Sequence, residues 1–282
     1  MKLIYLLITL ALGAGGLYWY SDRQPDLKNK AEQLLSMRAA RGFEIHYQIE
    51  QIVELQQKRL LKEKGARIIE SSLKFYPYLL IEAKYASKKK SRESLLIWDL
   101  TDGEMVLDAT SWEKTHGFGD CIRSHTLPHE FKIISALARK GGNCERVHLI
   151  EKLGEDYPHL DTPLFEAWVR GCFKKNLLIE VGDRYRLHLQ NPKLTRVPET
   201  RAPDKLITKM YKQASRVVRH FSKAQVEKMA STAFGPHFSI RKSTEVYLPV
   251  YSIVVQLPSG ALKTSHFNAF NGQPLTTALL YE

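Results

Sequence analysis

The chain has 282 residues, a length that accommodates two or three folded units. With 44% hydrophobic and 10% aromatic residues it carries enough apolar surface for a packed core, which excludes a disordered or low-complexity chain. Three cysteines exclude a disulfide-stapled miniprotein, and a net charge of +12 at pH 7 points to an anionic partner, either nucleic acid or an anionic lipid surface.

Residues 3–20, LIYLLITLALGAGGLYWY, contain no charged side chain and are bounded by Lys2 and by Ser21-Asp22-Arg23. This run stands at the lower edge of what crosses a bilayer core, and Leu17-Tyr18-Trp19-Tyr20 closes it with aromatics suited to a membrane interface. A retained single-pass membrane anchor over 1–20 is therefore expected. The competing reading is a cleaved secretory signal, because Gly13 to Gly16 place small residues after the apolar middle. Arg23, Lys28, Lys30 and Arg38 follow the span while Lys2 alone precedes it, so the positive-inside rule favours a cytoplasmic body over an extracytoplasmic one.

A first unit is expected over 26–115. Apolar residues return at three- and four-residue steps through 27–64 (Leu27, Ala31, Leu34, Leu35, then Ile45, Ile49, Ile52, Val53), which predicts helix with a break at Gly42 and an end at Gly65. Strands follow at 78–85, 95–100 and 105–109, with a basic loop at 88–90 and a tight turn at Asp102-Gly103. Next comes THGFGDCIRSH, the densest set of reactive side chains. His116, Cys121 and His125 with Asp120 could form a zinc set or a Cys–His pair, but no second ligand pair has zinc-site spacing, so packing is the expected role.

Residues 127–190 read as three helices and a hairpin. The first helix, 130–140, stops at Gly141-Gly142; Asn143 can cap the second, in which Val147, Ile150 and Leu153 recur before Gly154. The third starts at Asp161-Thr162-Pro163, a cap followed by a proline that the first turn tolerates, and turns Phe165, Trp168, Val169 and Cys172 inward. Leu177, Ile179 and Val181, then Tyr185, Leu187 and Leu189, alternate about the turn at Gly182-Asp183. This order resembles a winged-helix domain. The resemblance implies that the third helix is the recognition element, presenting Glu166, Arg170 and Lys174, and that the hairpin is the wing, presenting Arg184, Arg186 and His188. The segment holds ten basic against nine acidic residues, too even a balance for a strong phosphate footprint, so docking of a protein fits at least as well as nucleic acid.

A second unit is expected over 203–282. It opens with a helix over 205–230 whose Lys205, Lys209, Lys212, Arg216, Arg219 and Lys223 would form one basic stripe, a surface for nucleic acid or anionic lipid unless it is only a solvated face. Strands at 245–257 and 262–270 follow, separated by Pro258-Ser259-Gly260 and closed by Asn271-Gly272. Trp98-Asp99-Leu100-Thr101-Asp102-Gly103-Glu104 and Phe267-Asn268-Ala269-Phe270-Asn271-Gly272-Gln273 share their order of aromatic, Asp/Asn, Asp/Asn-Gly and Glu/Gln, and Tyr76-Pro77 and Leu248-Pro249 precede them by similar distances. The two units thus form an internal repeat, and each resembles the small PepSY-like modules, secreted or membrane-attached, whose last hairpin closes in a turn of this kind.

The expected architecture is α+β: an N-terminal membrane-spanning helix and two small helix-plus-antiparallel-sheet modules flanking a winged-helix domain. Walker, dinucleotide-binding, nucleophile-elbow and HExxH patterns are absent from the sequence. The expected function is a non-catalytic membrane-anchored adaptor for a protein partner, without a cofactor. A membrane-tethered nucleic-acid binder is the alternative, and a Cys/His enzyme or zinc site at 116–125 the remote one.

Overall fold

A computed structural model describes residues 39–275 except 88–89, 190, 203–205 and 213. The anchor at 1–20 and Lys205 lie outside the described residues. No helix among the described residues is long and apolar enough to cross a membrane. The described chain is a mixture of helix and strand. In order it runs β1 (Ala40–Phe43), α1 (Ile49–Leu55), α2 (Gln57–Leu60), β2 (Arg67–Ser87), β3 (Lys90–Asp99), β4 (Met105–Asp108), β5 (Glu113–Lys114), α3 (Phe118–Arg123) and α4 (Pro128–Ala138). It continues with β6 (Asn143–Glu145), α5 (Arg146–Asp156), α6 (Thr162–Lys174), β7 (Leu178–Val181), β8 (Arg184–Leu187), β9 (Thr208–Tyr211), α7 (Lys223–Phe234), β10 (Phe238–Gln256), β11 (Leu262–Asn268) and β12 (Pro274–Leu275).

The segments 26–115 and 203–282, separate units in the sequence, share one sheet. Its order is β12-β11-β10-β2-β3-β4-β5, and the two long strands β2 and β10 pair antiparallel along nearly their whole length. Tyr76 lies opposite Leu248, with Pro77 against Tyr247 and Phe75 against Pro249 on either side, so an approximate twofold passes through this pair. The hydrogen bonds obey it. Leu100 N donates to Pro77 O at 3.0 Å, and Ala269 N to Pro249 O at 3.0 Å. Gly42 bridges Tyr247 in parallel, and Arg216 bridges Phe75 in parallel.

Each proline sits where its strand changes neighbour. The β2–β3 pairing ends at Tyr78 and the β10–β11 pairing at Val250, so neither Pro77 nor Pro249 removes a ladder bond on the outer side.

The helices are exchanged between the halves. The amides of His46 and Tyr47, leading into α1, both donate to Ala269 O of the second half, whereas those of His220 and Phe221, leading into α7, both donate to Leu100 O of the first. Accordingly Ile52 and Leu60 belong to one buried cluster with Tyr251, Ile253, Val255 and Phe267, while Val226, Met229 and Ala230 belong to another with Leu79, Ile81 and Trp98. Each fully buried aliphatic side chain of these layers is worth about 1.5–3 kcal/mol. Tyr76, Tyr78, Leu248 and Val250 point to the opposite face, where Phe43, Trp112 and Phe270 cover them.

The middle segment places α4, β6, α5, α6, β7 and β8 in succession, with its small sheet in the order β6-β8-β7. Asp161 caps α6 by accepting from Leu164 N at 2.9 Å. Its core is continuous with the large sheet, since Phe131, Leu137, Phe165 and Tyr185 belong to the same buried cluster as Leu79 and Trp98.

Several expectations are corrected. Residues 40–43 are a strand, because Gly42 lies so close to Tyr247 O that a Cβ would stand 2.9 Å from it, and the described helix in that region covers only α1 and α2. Asn143 and Cys144 belong to β6, paired with β8, so Glu145 rather than Asn143 precedes α5. Val181 is exposed at the wing tip, whereas both Leu177 and Leu178 turn inward. The helix over 205–230 is absent from the described residues until Lys223: Thr208–Tyr211 pairs with β1, the chain near Arg216 pairs with β2, and Ser222 then caps α7 by accepting from Gln225 N at 3.3 Å.

Candidate functional site

The turn between β3 and β4 places several polar side chains in the interior, Asp99, Thr101 and Glu104 among them. Asp99 Oδ1 accepts from Thr101 N at 2.7 Å and from Thr101 Oγ1 at 2.5 Å, Gly103 N returns to Asp99 O at 3.1 Å, and Asp102 Oδ1 accepts from Glu104 N at 2.9 Å. Gly103 has φ +81°, and a Cβ there would stand 2.7 Å from Gly119 Cα, so the turn and the start of α3 touch backbone to backbone. Glu104 fastens the entry of α3: its carboxylate accepts from Gly117 N at 2.8 Å, Phe118 N at 3.2 Å, Gly119 N at 2.9 Å and Thr115 Oγ1 at 2.7 Å.

β5 brings Lys114 between the two aspartates. Its ammonium donates to Asp99 Oδ2 at 3.0 Å and also to Asp102 Oδ2. The Asp99 side chain is 2% exposed, Lys114 11% and Asp102 22%, so the triad opens to solvent through Asp102. Burial and the adjacent Asp99 charge raise Asp102 to about 7 against the pull of Lys114. Burial acts on Asp99 in the same sense, but Lys114 and the Thr101 hydrogen bonds outweigh it and hold Asp99 below its ordinary value. Burial likewise opposes the charge on Lys114, and the two aspartates overcome it. Above the triad lies a cleft of about 620 Å³ whose walls include Trp112, His116, Arg123, His220, Pro274 and Leu275. His220 Nδ1 donates to Thr101 O at 2.8 Å, tying the entry of α7 to the turn.

The residues singled out in the sequence are distributed differently. Arg184, Arg186 and His188 are exposed along the wing, but Arg184 is bound to Glu145 at 3.0 Å and to Asn143 at 3.2 Å. On α6, Arg170 and Lys174 are exposed, and Glu166 is half-buried in an ion pair with Arg146. The basic stripe is dispersed. Lys209 on β9 pairs with Glu44, Arg216 donates to Ala39 O at 2.8 Å, Arg219 pairs with Glu245 at 3.0 Å, and Lys223 begins α7. Lys212 follows β9 in irregular chain.

His116, Cys121 and His125 do not converge. His116 faces the cleft from a segment bonded to Lys193, Cys121 is buried on α3 with its thiol pushed by burial up to about 12, and His125 follows that helix in a left-handed conformation. Among the described residues no group of three or more His, Cys, Asp or Glu side chains is placed to hold a metal. Sequence reasoning read Asp102 as a turn former and passed over Lys114 and His220. The available signal was the charge difference between the repeats, Asp-x-x-Asp-Gly-Glu in one and Asn-x-x-Asn-Gly-Gln in the other.

No known protein family, curated protein or solved structure matches the chain.

Proposed function

We propose that this protein is a non-catalytic, membrane-anchored adaptor that docks a protein partner through a winged-helix-like middle unit. The order α4-β6-α5-α6-β7-β8 and the sheet order β6-β8-β7 agree with that resemblance. The observation that carries the reading is local charge pairing. Arg184 is engaged by Glu145 and Arg146 by Glu166, while Val147 and Val181 remain 63% and 56% exposed around them. A surface of internally compensated charges with exposed aliphatic side chains suits a protein interface better than a phosphate backbone. The anchor rests on the apolar run at 3–20.

The nucleic-acid reading keeps one supporting observation, the exposure of Arg170, Lys174, Arg186 and His188 on this same unit. Photo-crosslinking residues placed at Lys174 and Arg186 of the full-length protein in its membrane decide between the two. The adaptor reading expects one adduct of defined mass from these positions and none from Glu70 or Lys242 on the large sheet. It is overturned if no protein adduct forms and the protein binds duplex DNA at low salt with an affinity that Arg186→Glu abolishes.

A further inference from the structure

The cleft above the aspartate pair has the size of a ligand site, since such sites enclose about 300–1,000 Å³ and this one encloses about 620 Å³. Its sign is opposite to that of the chain. Asp102, Glu104, Glu113 and Asp120 line it against Lys114 and Arg123, in a protein of net charge +12. Pairing shows where the negative charge is left over. Glu104 is absorbed by three backbone amides and Thr115, Asp120 is matched by Arg123 at 2.9 Å, and Glu113 is matched by Lys193. Asp99 and Asp102 share the single ammonium of Lys114, so one negative charge has no cation of its own. Asp102 is the member of that pair which reaches the cleft.

The second half of the chain shows that the turn does not require this charge. Asn268 Oδ1 accepts from Phe270 N at 2.8 Å and Asn271 Oδ1 from Gln273 N at 3.0 Å, the bonds that Asp99 and Asp102 make in the first half. A neutral amide supplies the same acceptor oxygen.

We propose that the cleft binds a small organic cation, a primary amine or guanidinium compound, whose charged group pairs with the Asp102 carboxylate. The cation supplies the positive charge that the two aspartates lack, and its carbon skeleton lies against Trp112, Pro274 and Leu275. A metal ion fits less well, because no three donor side chains among the described residues are arranged to hold one. Burial and the adjacent Asp99 charge raise the proton affinity of Asp102, and a cation paired with its carboxylate opposes the second of these. This site is independent of the partner surface on the middle unit.

Calorimetric titration of the full-length protein in detergent at pH 8 tests the proposal, with arginine methyl ester and 1,5-diaminopentane as probes and inorganic phosphate and Mg²⁺ as controls. One of the two amines should bind saturably at a single site, and Asp102→Asn should weaken it at least about tenfold, the loss expected for one charge-assisted hydrogen bond. Asn271 indicates that this variant keeps its turn. Leu275→Trp, which narrows the cleft without touching a carboxylate, should weaken the same probe. The proposal is overturned if neither amine saturates at millimolar concentration, if both variants bind the amine as the parent does, or if phosphate or Mg²⁺ binds the cleft more tightly than the amines.

Discussion

Asp102 and Asn271 hold equivalent turns in the two halves of the chain, each accepting the amide two residues on, from Glu104 at 2.9 Å and from Gln273 at 3.0 Å. Only Asp102 can titrate, and it does so facing Asp99, Lys114 and the buried Tyr78. Its folded-state value of about 7 lies above its ordinary 3.8, so between these values the folded protein holds more protons than the unfolded chain. Stability from this group therefore falls as pH rises from about 4 to about 7. Asp99, held low, acts in the opposite sense and loses its contribution as pH drops through its folded value. Urea midpoints measured across this window should show a flatter or rising profile for Asp102→Asn than for the parent; identical slopes would contradict the assignment.

Removal of Lys114 should be severe. Lys114→Met leaves Asp99, 1% exposed, without its cation and next to a second carboxylate, and breaking a buried pair in this way costs about 3–5 kcal/mol. Adding Asp99→Asn should recover part of the loss, because Asn268 fills the matching position in the second half. Urea denaturation of both single variants and the double variant completes the cycle.

The exchange of helices predicts that the two halves hold together without a covalent link. Val197 is 53% exposed in the segment between the wing and β9, which makes it a suitable place for an engineered protease site. After cleavage there, the two pieces should co-elute in native size-exclusion chromatography and separate only in denaturant. Spontaneous separation in native buffer would mean that the β2–β10 pairing and the exchanged helices contribute far less than their burial implies.

Native thiols should be silent. Cys121, Cys144 and Cys172 are all buried, and burial pushes the thiols of Cys121 and Cys172 up to about 12, which leaves almost no thiolate at neutral pH. A disulfide-exchange reagent should label no cysteine before unfolding and three after it. Rapid stoichiometric labelling of Cys121 in the native protein would revive a Cys–His chemistry at 116–125.

Features written locally were legible in the sequence. The Asp161-Thr162-Pro163 start of α6, the turns at Asp102-Gly103 and Asn271-Gly272, and the paired prolines each depend on neighbours a few residues away. The first stretch of β2 was not legible, because Glu70, Ser71, Ser72 and Lys74 carry no strand periodicity and become strand only through pairing with β10. The basic stripe failed for a related reason. Lysines and arginines at three- and four-residue spacing also occur in extended chain, and the true helix start was the Ser222-x-x-Gln225 box further on. The aspartate–lysine triad joins residues 12 and 15 positions apart through the β4–β5 hairpin, a fold-dependent meeting that spacing alone does not announce.

The exchanged helices also set an order of events at the ribosome. Ile52 and Leu60 leave the exit tunnel long before most of the surface they cover, because Ala66, Ile68 and Leu73 of their cluster follow closely while Tyr251, Ile253, Val255 and Phe267 come some 200 residues later. At about 5–20 residues per second that interval is on the order of ten seconds or more, during which α1 and α2 expose their apolar side. Such distant pairings also make the contact order high and folding slow. The nascent chain is thus a natural client for a holding chaperone, and its yield in a cell should depend on translation speed more than its final stability would imply.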